Sequence, residues 1–205
     1  MALPPKKGSQ PFPQPDDPTI RVWRYYDAAR FSWLLENSQL YLPSIAELDD
    51  YFAGSVPKPE IVERAAFLQD LGQPDLVDYY TGKIEQLRRS VYVSCWRLGN
   101  DDSNAMWQLY CGDEEGVAIR TTYANLVDTF ASKWRSVGLV TYLNYAKDDI
   151  PEGNVRHPFM YKRSEFAYEN EVRIAEGLDP FLDPAPKRSR STFPSSGRSA
   201  SIRWT

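Results

Sequence analysis

The chain has one histidine, two cysteines and three methionines among its 205 residues. Each scarcity removes a class of chemistry. His157 with Cys95 and Cys111 cannot supply the Cys/His spacings of a structural or catalytic zinc site. Two cysteines close at most one bridge, so a disulfide scaffold is ruled out and two reduced, buried thiols are expected. A Cys–His nucleophilic pair needs His157 beside Cys95 or Cys111, and buried thiols are the commoner outcome for such cysteines. There is no GxxxxGK[ST] and no GxGxxG, the glycine patterns that let a backbone cradle phosphates. No stretch approaches the roughly 20 apolar residues that span a bilayer, and the first residues have no apolar signal region, so a cytoplasmic, non-membrane protein is expected.

Aromatic residues, by contrast, are plentiful, with 6 Trp, 13 Tyr and 9 Phe, and they must fill a core or line a cleft. Net charge is −4, unevenly spread: residues 179–205 sum to +3, leaving −7 for residues 1–178. A basic tail of this kind either lies solvated or adds affinity for nucleic-acid phosphates. The first 19 residues carry six prolines and little to bury, which predicts a disordered lead-in. Pro, Ser and Arg dominate residues 178–205, where little regular structure is expected beyond a short strand at 201–204. Between the tails, residues 20–177 are expected to form one domain.

Periodicity within 20–177 gives alternating strands and helices. Ile20 to Tyr25 reads as a strand with Ile20, Val22 and Arg24 on one face and Arg21, Trp23 and Tyr25 on the other. Asp27 caps a helix, and Gln39 to Leu42 is a short strand. Residues 44–55 read as a surface loop, and two helices over residues 59–90 form an insertion or cap. Val91 to Trp96 is a strand dense in β-branched and aromatic residues. Ser103 caps an aromatic helix containing Met106, Trp107 and Tyr110, which Gly112 ends. A strand follows at 117–121, and Thr122 caps another helix. Further strands are expected at 137–145 and 171–175, with a helix at 157–168. Helices interspersed with strands, without Gly-rich βα turns or a repeat, predict an α+β fold on a central, largely antiparallel sheet.

The polar constellation with most chemistry is Glu169-Asn170-Glu171-Val172-Arg173. Read as strand, it sends Glu169, Glu171 and Arg173 to one surface while Val172 faces the core. Two carboxylates placed so can align a ribose hydroxyl and stabilise an oxocarbenium ion; the alternative is an ion cluster on a solvated face, contributing roughly 0 to 1 kcal/mol. Lys162 and Arg163, with Phe159 and Phe166, offer a cationic, aromatic surface that can hold a phosphate, stack on a base, or simply cover a buried Phe pair.

Several blocks together resemble a widespread bacterial and phage family catalogued as a domain of unknown function, some of whose relatives are abortive-infection-like. They are Asp27 to Leu35, Leu48 to Ser55, Ser94-Cys95-Trp96, Ser103 to Tyr110, Glu115 to Ile119, and Lys162-Arg163 followed by Phe166, Glu169, Glu171 and Arg173. The loop departs from the family pattern at Asp49-Asp50-Tyr51-Phe52-Ala53-Gly54, which lacks the expected proline and glutamate. The order Arg24, Ser94, Glu169-x-Glu171 also resembles that of ADP-ribosyltransferases. That resemblance implies transfer of ADP-ribose from NAD, or NAD hydrolysis, in a conflict or defence setting. It assigns Glu171 to transition-state stabilisation, Glu169 to the acceptor, Ser94 to the nicotinamide ribose and Arg24 to a cofactor phosphate. Convergence of Arg24, Ser94 and Glu171 on one cleft is then expected. The competing expectation is a non-catalytic module that recognises a protein or nucleic-acid partner through Trp23, Tyr51, Lys162 and Arg163.

Overall fold

The computed structural model describes residues 12–55, 57–131, 135–150, 157–177, 190–192 and 203–204. It is one α+β domain on an antiparallel sheet. The strands of that sheet are β1 (Arg21–Asp27), β3 (Val91–Leu98), β4 (Gly116–Thr122), β5 (Arg135–Leu139), β8 (Glu171–Gly177) and β10 (Arg203–Trp204). They lie in the order β10-β4-β1-β3-β8-β5. Two small pairs flank it: β2 (Gln39–Tyr41) with β9 (Arg190–Thr192), and β6 (Thr141–Leu143) with β7 (Tyr161–Arg163) in parallel.

Two of the three expected caps form. Asp27 Oδ1 accepts from the Arg30 amide to open α1 (Ala28–Asn37), and Thr122 Oγ1 accepts from Asn125 to open α5 (Tyr123–Phe130). Helix α4 (Asn104–Cys111) starts at Ser103 without a side-chain cap; instead the Ser103 amide donates to the Tyr25 hydroxyl at 3.0 Å, which ties the helix to β1. Gly112 ends it at φ 59°, a left-handed conformation that glycine adopts without a Cβ penalty. The two cap helices are α2 (Lys58–Asp70) and α3 (Asp75–Ser90). Arg88 fastens α3 to the 44–55 loop by donating to the Ala53 and Tyr51 carbonyls.

The sheet has two covered faces. On the first, Val22, Tyr26, Trp96, Leu98, Ile119, Val172 and Ile174 pack with Leu34 of α1 and Leu126 and Phe130 of α5. The second face carries two separate clusters. Trp23, Tyr25 and Ala118 pack with Met106 of α4, whereas Val91, Val93 and Ala175 pack with Ile45, Phe159, Met160 and Phe12. The space between those two clusters holds the polar site.

Two expectations change. Residues 157–168 are not a helix: a 3-10 turn (His157–Phe159) leads into β7 and a second 3-10 turn (Ser164–Glu169). Strand pairing to β6 overrides the helix-like spacing of Phe159, Lys162, Arg163 and Phe166. The proline-rich segment also contributes to the core from residue 12 onward. Phe12 is buried, Pro13 accepts from the Leu139 amide, and Gly138 leaves the room, since a Cβ there would come within 2.6 Å of the Phe12 Cβ. Residues 1–11 and most of 178–205 lie outside the described residues, yet β9 and β10 come from the basic tail.

Phe12→Ala is therefore expected to lower unfolding free energy by about 3–5 kcal/mol, the usual cost of emptying a buried Phe site. Urea denaturation measures this directly; a change below about 1 kcal/mol would show that residues 12–14 are not part of the core.

Candidate functional site

Glu169 ends the second 3-10 turn, and Asn170 then adopts φ 43°, a left-handed conformation that asparagine tolerates. The Asn170 side chain donates to the Leu98 carbonyl while the Leu98 amide donates to the Asn170 carbonyl, so this corner is stitched to the end of β3. Strand β8 starts at the next residue with its backbone already fixed: the Glu171 amide donates to the Tyr142 hydroxyl and its carbonyl accepts from Val140. Local chain direction thus brings both glutamates to the second face of the sheet.

There they meet two cations. Arg173, 1% exposed, donates from Nε and Nη2 to the two carboxylate oxygens of Glu171 at 2.7 and 2.9 Å, and from Nη1 to the Phe159 carbonyl at 2.6 Å. Lys162 Nζ lies 2.6 Å from Glu169 Oε2 and 3.6 Å from Glu171 Oε2. The four side chains form one neutral network, with Glu169 6% and Glu171 4% exposed. The solvated face expected for this cluster is thereby corrected: all four side chains are buried, between the two apolar clusters.

Burial raises the Glu169 carboxyl above its ordinary range, even against Lys162. Burial also works against the Glu171 charge, but Arg173 and then Lys162 outweigh it and hold Glu171 below its ordinary 4.5. Two carboxyls in contact with one lysine are thus displaced in opposite directions.

Glu169 and Glu171 line a narrow cleft, partly open to solvent and with room for about one water molecule, whose other walls include Trp23, Tyr25, Cys95, Arg97, Met106 and Tyr110. Burial, with Glu171 alongside, pushes the Cys95 thiol up to about 12. A thiol held there stays protonated near neutrality and is no nucleophile. Both cysteines are free.

The other expected residues divide. Ser94 pairs in register with Ile174, and Cys95 with Arg173. Since neighbours along a strand alternate faces, Ser94 belongs to the first face and Glu171 to the second. Arg24 is on the first face as well, donating to Ser94 Oγ and the Cys95 carbonyl, with its guanidinium over the Tyr26 ring. The Arg24, Ser94 and Glu171 set therefore does not converge: the sheet lies between its members. Trp23 lines the cleft, its indole donating to the Gly99 carbonyl. Tyr51 is 78% exposed on its loop, and Arg163 is held by Asp50 and Glu165 over the Phe52 and Phe166 rings. Lys162 and Arg163 are thus committed to carboxylates of this chain.

Comparison with family models, with curated proteins and with solved structures finds no match for this chain. Among the described residues no cluster of His, Cys, Asp and Glu has metal-binding geometry, and no helix is long and apolar enough to cross a membrane.

Sequence reasoning missed Tyr142, Arg97 and Tyr110 as parts of the site. Tyr110 had a signal, its helical spacing with Met106. Arg97 had only its alternation with Cys95, which needs the strand to run past Trp96.

The buried network makes two expectations measurable. Arg173→Ala leaves Glu171 charged and buried, which costs about 3–5 kcal/mol. Arg30→Ala, at a pair with Asp27 that is open to solvent, stays within about 1 kcal/mol. Chemical denaturation compares the two, and equal effects would mean the network is not desolvated. Because the folded-state pKa of Glu171 is depressed, its stabilisation is present above pH 4.5 and lost as pH falls below it. The acid limb of the Tm profile should accordingly be shallower in Glu171→Gln than in wild type.

Proposed function

We propose that this protein cleaves the bond between nicotinamide and ribose in NAD, passing the ADP-ribosyl group to a protein or nucleic-acid acceptor or to water. The observation that carries the reading is the pair Glu169 and Glu171, in one cleft with aromatic walls, pushed apart in acidity. Sites that separate two carboxyls in this way assign one to proton exchange and the other to a fixed charge. Glu171, kept anionic by Arg173, stabilises the positive charge that develops on the ribose as the C–N bond breaks and nicotinamide departs with the bonding electrons. Glu169 accepts the proton of the incoming hydroxyl as the new C–O bond forms. Tyr25 and Tyr110 give the departing ring an apolar surround. The segments 94–96, 103–110 and 169–173, which carry the family resemblance, meet at or beside this cleft. Relative to the ADP-ribosyltransferase order, the present reading keeps Glu169 and Glu171 and gives Arg24 and Ser94 no contact with substrate.

A second reading is favoured by the clamp on Glu171. With both its oxygens held by Arg173, the network is purely structural, and the protein is a binding module for a protein or nucleic-acid partner.

Nicotinamide release from NAD separates the two. Glu171→Gln is expected to slow release about 10²- to 10³-fold, with circular dichroism confirming the fold. Glu169→Gln is expected to slow it about 10²-fold and to abolish the fall in rate at acid pH, since Glu169 must be deprotonated to accept a proton and its carboxyl titrates above 4.5. No release by the wild type, or equal release by all three, would leave the binding module as the account.

A further inference from the structure

Six arginines on this domain, Arg30, Arg88, Arg89, Arg135, Arg163 and Arg173, each meet a carboxylate. Like Arg24 on the first face, Arg21, Arg97 and Arg120 meet none among the described residues, although the protein as a whole is acidic. These three share the second face of the sheet. Trp23 pairs in register with Arg120 on one side and with Arg97 on the other, and Arg97 pairs with Glu171. A single row therefore crosses four adjacent strands in the order Arg120, Trp23, Arg97, Glu171, with backbone steps of about 4.8 Å. Arg21 is two residues before Trp23 on the same face.

The row is fixed in place. Arg120 lies over the Trp23 ring at 5.2 Å, and Arg21 donates to the Asn100 carbonyl. Arg97 lines the cleft and donates from Nη1 to the Asp101 carbonyl, while its Nε is buried with no partner. A Cβ on Gly99 would come within 2.6 Å of Arg97 Nη1, so the glycine makes room for the guanidinium against the backbone. An oriented guanidinium beside a cleft is suited to an oxyanion, which it binds by charge-assisted hydrogen bonds.

We infer that Arg97 and Arg120, with Arg21 at the rim, hold the diphosphate of a dinucleotide whose ribose reaches Glu171. The inference rests on the proposed reading of the cleft and names what that reading lacked once Arg24 was found on the opposite face. Arg97, one strand from Glu171, takes the phosphate nearer the reacting ribose. Arg120, two strands further along, takes the phosphate on the adenosine side.

The test is calorimetric titration with ADP-ribose, with inorganic pyrophosphate and with adenosine. Arg97→Gln and Arg120→Gln should each weaken ADP-ribose about 10- to 100-fold, as the loss of a hydrogen bond to a charged group does. Adenosine binding and the exposed control Arg30→Gln should be unchanged. ADP-ribose affinity equal in wild type and both row variants overturns the inference even if NAD is turned over, and so does failure of folded wild type to bind ADP-ribose and pyrophosphate. Arg97-dependent binding of both without any nicotinamide release supports the strip and removes the glycosidic reading. Arg97-dependent binding of single-stranded DNA without ADP-ribose binding overturns the dinucleotide assignment.

Discussion

Everything on the second face of the sheet is arranged around the contact between Arg173 and Glu171. A buried guanidinium and carboxylate are tolerated only when geometry is close and the remaining donors are satisfied. Here the fork of Arg173 takes both oxygens of Glu171, and its last nitrogen finds the Phe159 carbonyl. Lys162 and Glu169 repeat the arrangement beside it, so four charges are buried with no net charge. The network also separates the Phe159 and Met160 cluster from the Trp23 and Met106 cluster, which keeps a polar cleft between two apolar masses.

The sheet acts as a partition. Its first face combines an apolar core with a central polar contact, Arg24 on Ser94, supported by the Trp96 indole donating to the same hydroxyl. That face is closed by α1 and α5. Chemistry that needs access from solvent belongs to the second face, where α4 covers only part of the sheet and leaves Glu169, Glu171 and Arg97 along an opening. A neutral network is what allows a carboxylate to stay ionised in such a place.

Elements with local signals were legible in the sequence. Asp27 and Thr122 cap helices as expected, and Met106 and Tyr110 face the sheet at helical spacing. The α+β class followed from those elements. Lys162, Arg163 and Phe166 misled because a spacing of three to four residues fits a helix equally well, and the partner of β7 is twenty residues upstream. The partition was invisible for a related reason. Alternation within β1 and β3 is local, but which residue of β3 faces which residue of β8 depends on register between strands more than seventy residues apart, and a slip of one would exchange the faces. Burial of the ion network was equally unreadable, since Phe12, Ile45 and Phe159 close the adjoining core from three distant segments.

The account places ligand chemistry on the side of the sheet that bears Glu169 and Glu171. A crystal structure of the protein with ADP-ribose tests this most directly. The account predicts ribose density against Glu171, beside Tyr25 and Tyr110, with phosphate oxygens on Arg97. Ligand on the opposite face beside Arg24 and Ser94, or an unaltered cleft at saturating ADP-ribose, would contradict it.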